Sequence, residues 1–155
     1  MINLSTLEKE KPMLNLKKLL VAFDGSPSAN KAFDFALEIA TQCQGASHEI
    51  FVVAVIQPPE PADMVEMDAM IDAGTEHYEK LFVELQVKAK AASIPVVTEV
   101  LVGHPADQIV HYAAEKQCSM VLIGQRGKSR IEQWLLGSVS KRVASYAHCT
   151  VTIVK

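Results

Sequence analysis

Hydrophobic positions along the chain follow two patterns: short, nearly continuous apolar runs and longer stretches with a helical period. Short apolar runs are typical of strands buried on both faces of a sheet. Five such segments occur, at 19–23, 50–56, 96–102, 120–123 and 150–154. The stretches between them place apolar residues at steps of three and four, as one face of a helix requires. The pattern therefore predicts five strands alternating with four helices.

Strict alternation of strands and helices indicates one doubly wound α/β domain, a parallel sheet with helices on both faces. We expect the strand order 3-2-1-4-5. Thr98 and Glu99 make the third strand more polar, which suits an edge. In this order the carboxyl ends of strands 1 and 4 lie side by side. Ligands of such folds bind in the crevice at this switch point.

Composition and charge narrow the class of protein. The chain has 155 residues, of which 49% are hydrophobic, and its net charge is −3 with both signs scattered. One domain is expected at this length, with an ordinary core. Neither a basic stripe for nucleic acid nor an apolar run long enough for a membrane is present in the sequence. We expect neither nucleic acid nor a membrane as a partner.

The first sixteen residues differ from the rest. They mix charged residues with a few leucines and lack the apolar centre of a signal peptide. We therefore expect residues 1–16 to be an N-terminal extension, residues 17–155 to form the domain, and the protein to be cytoplasmic. Cys43, Cys118 and Cys149 are far apart and form no CxxC pair. Buried free thiols are expected, and no metal site is predicted.

A glycine- and serine-rich pattern follows the fourth strand. It consists of residues 124–127, nine further residues and residues 137–140. Gly137 and Ser138 stand where the fourth helix begins, and a helix N-terminus offers unpaired N–H donors to phosphate. The hydroxyl groups of Ser138 and Ser140 and the charge of Arg126 could add to such a site. The alternative is a helix cap at Ser138 and ordinary turn glycines, but three glycines and two serines after this strand favour phosphate.

Asp24 ends the first strand at the same switch point. Its carboxylate could accept hydrogen bonds from ribose hydroxyls or from an adenine amine. Alternatively, the Asp-Gly-Ser-Pro sequence opens a turn or caps the first helix, which these residues do readily. The residues alone do not decide between the two.

The G-x-x-G, nine residues, G-[ST] pattern after the fourth strand resembles the nucleotide-binding signature of the universal stress protein family. Segments 19–26, 100–105 and 121–124 resemble that family's first strand with its acidic turn, its third strand and its fourth strand. The similarity extends over about residues 16–155. Membership would imply a regulatory, ATP-binding protein of the stress response, because members that do not bind ATP usually lack the glycine signature.

The resemblance also implies roles for individual residues. Asp24 would contact adenosine, Val55 would line the adenine slot, and Gly124 and Gly127 would let ribose and phosphates approach. The expected binding set is Asp24, Gly25, Ser26, Val55, Ile123, Gly124, Arg126, Gly127, Gly137, Ser138, Val139 and Ser140. The ligand would be ATP, with Mg²⁺ held through the phosphates. Gln125 and Arg126 differ from the pair in many members, which leaves ADP, AMP and a cyclic nucleotide open.

Several enzyme signatures are missing from the sequence. Leu122 occupies the first glycine position that a P-loop ending in Gly127-Lys128-Ser129 would need. No G-x-G-x-x-G follows the first strand, and no G-x-S-x-G nucleophile elbow occurs. We expect no enzyme beyond slow ATP hydrolysis. Two alternatives stay open: a weak ATPase on the same site, and an interaction protein with an empty pocket.

The final apolar segment suggests an oligomer. Residues 150–154 would form an edge strand without proline, internal lysine or glycine, and such an edge invites pairing. We expect a homodimer through this strand, and similar proteins commonly dimerise there. The alternative is that the N-terminal extension covers the edge and keeps the chain monomeric.

Overall fold

The computed structural model describes residues 16–43, 48–60, 62–126 and 136–155. The expectations for most of the N-terminal extension and for Gly127 lie outside these residues.

Nine elements alternate along the described chain. They are β1 (Lys18–Ala22), α1 (Pro27–Gln42), β2 (Glu49–Ile56), α2 (Met64–Ala91), β3 (Val96–Val102), α3 (Pro105–Glu115), β4 (Met120–Gly124), α4 (Ser138–Tyr146) and β5 (Thr150–Val154). The strands form one parallel sheet in the order β3-β2-β1-β4-β5. The predicted fold class and strand order are confirmed.

The helices cover both faces of the sheet and create two apolar layers. In one layer, α1 and α2 pack against the strands, with Phe33, Phe82 and Leu85 almost fully buried. In the other, α3 and α4 contribute Ile109, Tyr112 and Val143. The central strands β1 and β4 contact both layers, which explains why their sequences are continuously apolar.

The two edge strands differ in polarity. From Val96 to Val100, half-buried and exposed residues alternate along β3, with Glu99 on the exposed set, as expected for an edge. In β5, four of the five residues are half-buried. Among the described strands, β5 pairs only with β4, along one of its two sides.

The three cysteines occupy different environments, so the expectation of uniformly buried thiols is wrong for one of them. All three are free; Cys118 is buried, Cys149 is half-buried, and Cys43 is exposed just after α1. Burial raises the pKa of the Cys118 thiol to about 11, and the neighbouring Cys149 adds to the shift. None of the described helices is both long enough and apolar enough to cross a bilayer.

Candidate functional site

A cleft of about 320 Å³ opens at the carboxyl end of the sheet, where β1 and β4 are neighbours and the strand order reverses. The starts of α1, α3 and α4 surround it. Its walls come from all of these elements and from β2: Ala22, Phe23, Asp24, Ala29, Val53, Val55, Pro105, Ile109, Ile123, Gly124, Arg126, Gly137, Ser138, Val139 and Ser140. The predicted switch point is thus an open crevice in the folded chain.

The turn between β1 and α1 forms one wall and satisfies its own hydrogen bonds. The N–H of Ser26 donates to Oδ1 of Asp24 at 2.9 Å, and the N–H of Ala29 donates to Oγ of Ser26 at 3.2 Å. Ser26 is therefore the N-cap of α1, and Asp24 holds the turn that precedes it. Of the two structural roles considered for Asp24, the turn is the one observed.

Gly25 gives this turn its shape. Its φ of +80° is a conformation that residues with a side chain rarely adopt. A Cβ at this position would lie 3.0 Å from Cδ1 of Leu81, on α2. Tyr78 also lies in this region, since its ring stacks on Phe82, which contacts Phe23 beside the turn. Burial, and then the charge of Asp24, raise the pKa of Tyr78. The α2 helix thus abuts the turn that carries Asp24.

The start of α4 forms the opposite wall. Gly137 is its N-cap, and no side chain of the described residues caps the helix. The N–H of Gly137 donates to the carbonyl of Gln125 at 3.0 Å, so this donor is already used. The N–H groups of the next three residues have no acceptor within the helix, because the first intrahelical bond to Gly137 comes from Lys141. These three N–H groups point toward the helix's amino-terminal end, beside the cleft.

The two walls meet at Gly124, the last residue of β4. A Cβ there would lie 2.9 Å from the backbone carbonyl carbon of Ser28 and would also clash with its hydroxyl. The hydroxyl of Ser28 donates to the carbonyl of Arg126 at 2.5 Å, and the hydroxyl of Ser140 donates to the carbonyl of Gly124 at 2.8 Å. Hydrogen bonds from α1 and α4 therefore fix the strand end between them.

The structure brings together most of the residues that the sequence singles out. Nine of the twelve line the cleft: Asp24, Val55, Ile123, Gly124, Arg126, Gly137, Ser138, Val139 and Ser140. Gly25 and Ser26 shape the adjoining turn and are not part of the lining. Gly127 lies outside the described residues. Ser140 is buried with its hydroxyl bonded to Gly124, so it supports the backbone.

Six lining residues were not anticipated: Ala22, Phe23, Ala29, Val53, Pro105 and Ile109. Strand pairing could have indicated one of them, because Val53 lies opposite Ala22 in the register and on the same face of β2 as Val55. Together these residues give the cleft an apolar floor and one apolar wall. Asp24 and Arg126 supply the charged side chains of the described lining.

Comparison with known proteins identifies the family. The sequence pattern of the universal stress protein family matches residues 15–155, nearly the whole chain. The chain belongs to the universal stress protein family. A universal stress protein of Methanocaldococcus jannaschii is 32% identical over 143 residues, which cover 90% of this chain and 82% of that one. The family expectation from the sequence is confirmed.

Solved structures of this family share the fold. The universal stress protein UspA from Lactobacillus plantarum superposes with a TM-score of 0.82 at 21% identity, covering 92% of this chain and 99% of its own. A universal stress protein in complex with cAMP gives a TM-score of 0.67 at 27% identity, covering 90% and 96%. The doubly wound sheet of the chain is therefore the fold of this family.

Proposed function

We propose that the chain binds an adenine nucleotide, ATP, in this cleft and acts in the stress response as a regulatory protein of the cytoplasm. The observation that carries the proposal is the start of α4 beside Arg126, which no side chain of the described residues caps. Unpaired N–H groups at a helix start, with the positive end of the helix dipole, attract phosphate. The guanidinium group of Arg126 adds charge-assisted hydrogen bonds.

The rest of the cleft suits adenosine. Val53, Val55 and Ile109 provide an apolar slot for a purine. Because Oδ1 of Asp24 accepts the N–H of Ser26, we assign the second carboxylate oxygen to the ribose hydroxyls. Gly124 keeps the approach between the slot and α4 free of side chain. The volume lies near the lower end of the range for small-molecule sites, roughly 300–1,000 Å³.

The neighbour in complex with cAMP supports an adenine nucleotide as the ligand class. Within the described residues, no group of three histidine, cysteine, aspartate or glutamate side chains is arranged to hold a metal ion. We therefore expect Mg²⁺ to be held by phosphate oxygens and water, as is usual when it accompanies a nucleotide.

A regulatory role fits the chemistry of the lining better than catalysis. Efficient hydrolysis needs a base within reach of the attacking water. Asp24 is the acidic side chain in the described lining, and one of its oxygens already holds the turn. Slow hydrolysis on the same site is the second candidate function. An interaction protein that never binds nucleotide is the third.

Calorimetric titration with ATP, ADP, AMP and cAMP tests the proposal. Arg126→Gln should weaken ATP binding by about 1–3 kcal/mol, as expected for a lost charged hydrogen bond. Arg142→Gln is the matched control, because Arg142 lies on α4 but pairs with Asp107 outside the cleft. No binding of any of the four nucleotides would favour the third candidate. Repeated conversion of ATP to ADP would favour the second.

We also propose that the protein is a homodimer through β5. The strand is an edge of the described sheet, and its outer side could pair with a second copy across a twofold axis. Replacing Val151 and Ile153 by lysine should give a monomer in light scattering, with circular dichroism to check folding. Val97→Lys, on the opposite edge strand β3, is the control and should leave the dimer intact. A dimer that survives the β5 changes would contradict this interface.

A further inference from the structure

The apolar stripe of α2 continues beyond the sheet that it covers. At steps of three and four the stripe comprises Met64, Met67, Ile71, Gly74, Tyr78, Phe82, Leu85 and Ala89. Its buried members lie in the carboxyl-terminal half, at Phe82, Leu85 and Ala89. Gly74 lies against Ile56, where β2 ends, since a Cβ on Gly74 would be 2.7 Å from Cδ1 of Ile56. The ten residues before Gly74 therefore extend past the end of this strand.

Element lengths agree with this placement. A helix of 28 residues is about 42 Å long, whereas β2, with eight residues, spans about 26 Å. The overhanging part, residues 64–73, is exposed except for half-buried Ile71. Met64, Val65, Met67 and Met70 are exposed by 80%, 79%, 36% and 43%. We call residues 64–73 the α2 arm.

The charge around the arm is strongly acidic. Between residues 60 and 79 the sequence has no lysine or arginine and seven acidic residues: Glu60, Asp63, Glu66, Asp68, Asp72, Glu76 and Glu79. All seven are exposed. Asp63 caps the helix, and Glu76 pairs with Lys80 at 2.7 Å. The other five form no ion pair with described residues. Since the whole chain has a net charge of only −3, the remainder of the molecule is net positive.

These charges decide among the possible occupants of the stripe. A second copy pairing arm to arm would bring acidic flanks together, which is destabilising. An anionic lipid surface would repel the arm for the same reason. A helix with an apolar seam and lysine or arginine beside it would cover the methionines and neutralise Asp68 and Asp72. Methionine side chains adapt to varied apolar surfaces, which suits such binding.

We propose that the α2 arm is a docking site for a cationic amphipathic helix of another protein. The arm offers two turns of apolar stripe with acidic flanks, and the partner supplies the complementary seam and charge. This surface does not depend on nucleotide binding in the cleft.

The test uses a fluorescent peptide of about 18 residues, built of leucine and lysine with helical periodicity. A peptide of the same composition, scrambled so that the leucines share no face, is the control. By fluorescence anisotropy the wild-type chain should bind the amphipathic peptide at least about tenfold more tightly. Raising the salt from about 50 mM to about 500 mM should weaken this binding.

Variants locate the binding on the arm. The triple variant Met64→Gln, Met67→Gln and Met70→Gln retains residues of good helix propensity and should lose at least about tenfold in affinity. Val83→Gln with Val87→Gln is the matched control, because these exposed residues lie on the same helix outside the arm. Asp68→Asn with Asp72→Asn should reduce both affinity and salt dependence, and gives an independent reading if the methionine variant loses helix.

Four outcomes of the peptide measurements would overturn the proposal. They are no binding of the amphipathic peptide, equal binding of the scrambled peptide, unchanged affinity in the methionine and aspartate variants, and equal binding of a leucine–glutamate peptide. Binding of the chain to phosphatidylglycerol vesicles in preference to the peptide would also overturn it, because the arm would then serve a membrane.

Discussion

The helices α1 and α4 both begin at the carboxyl edge of the sheet, on opposite sides of one cleft, and their first turns differ. In α1, Ser26 caps the helix, and the carboxylate of Asp24 accepts the N–H of Ser26. In α4, the cap position is a glycine, and among the described residues no side chain caps the first turn. Helix starts need acceptors for their N–H groups. In α1 a side chain supplies one of these acceptors, whereas in α4 no described side chain does.

The difference follows from the local sequence. In the Asp24–Pro27 turn, Asp24 accepts the N–H of Ser26, Gly25 adopts the left-handed backbone, Ser26 is the cap and Pro27 starts the helix. At α4 the equivalent position is Gly137, whose φ of −58° any residue could adopt. A Cβ at Gly137 would lie 3.3 Å from the carbonyl oxygen of Gln125, so a side chain there would meet a close contact but no backbone strain.

The largest effect on stability and nucleotide affinity is expected from a substitution at Gly124, where the two walls meet. Gly124→Ala would press a methyl group onto the backbone of Ser28, and overpacking of this kind costs about 1–3 kcal/mol of unfolding free energy. It would also separate the starts of α1 and α4, so ATP affinity should fall with stability. Urea denaturation and calorimetry measure the two. Gly137→Ala is the control, because its Cβ would be 3.3 Å from the nearest atom, and should change stability less.

Two substitutions of Asp24 separate the role of its charge in binding from its role in the turn. Asp24→Asn retains an oxygen for the N–H of Ser26, whereas Asp24→Ala removes it. Both should weaken ATP and AMP binding alike, by about 1–3 kcal/mol. Only the alanine variant should also lower thermal stability. If Asp24→Ala lowers stability while both affinities hold, the residue serves the turn alone.

A paired serine substitution compares the helix starts directly. Ser26→Ala should lower the unfolding free energy by about 1 kcal/mol, because a working cap is lost. Ser138→Ala should leave stability almost unchanged, since Ser138 is exposed and caps nothing, yet weaken ATP binding. Chemical denaturation and nucleotide titration of both variants give the four values. Equal losses of stability would show that α4 is capped in solution.

The smallest effect concerns the titration of Tyr78. Its pKa is raised above the ordinary value of 10.0 by burial and by the charge of Asp24. A raised phenol pKa stabilises the fold below pH 10.0, and this contribution is lost as the pH rises beyond it. Asp24→Asn should lower the Tyr78 pKa but leave the part due to burial. Carbon-13 NMR of labelled tyrosine, assigned with Tyr78→Phe, measures it; an unchanged pKa would mean that the two groups do not interact in solution.

The sequence predicted those parts of the fold in which an element has a single characteristic pattern of residues. Continuous apolar runs mark strands covered on both faces, and the predicted limits of β1, β2 and β4 agree with the structure to within one residue. The strand order was also predicted correctly. The spacing of glycine and serine after β4 likewise indicated the wall at the start of α4. Asp24 stayed ambiguous, because an Asp-Gly-Ser-Pro sequence fits a turn, a cap and a ligand contact equally well.

The apolar wall was harder to predict because its residues resemble core. Ile109 occupies an inward position of α3 and is buried, and nothing in the period distinguishes core from cleft lining. Pro105 is the first residue of α3, and a proline at a helix start does not by itself indicate a cleft. Their place in the cleft depends on how far α3 extends along the sheet, which is a tertiary property. Likewise, the hydrogen bond from Ser140 to Gly124 connects residues sixteen positions apart.

Because the three thiols differ in exposure, one of them can be labelled selectively with a fluorescent dye. Cys43 is exposed at the end of α1 remote from the cleft, whereas Cys118 is buried with a pKa of about 11 and therefore stays protonated at neutral pH. A maleimide dye should react first at Cys43 without any mutation. Since α1 has 16 residues, the dye would lie about 24 Å from the cleft. That separation suits energy transfer to a fluorescent nucleotide without contact between dye and ligand.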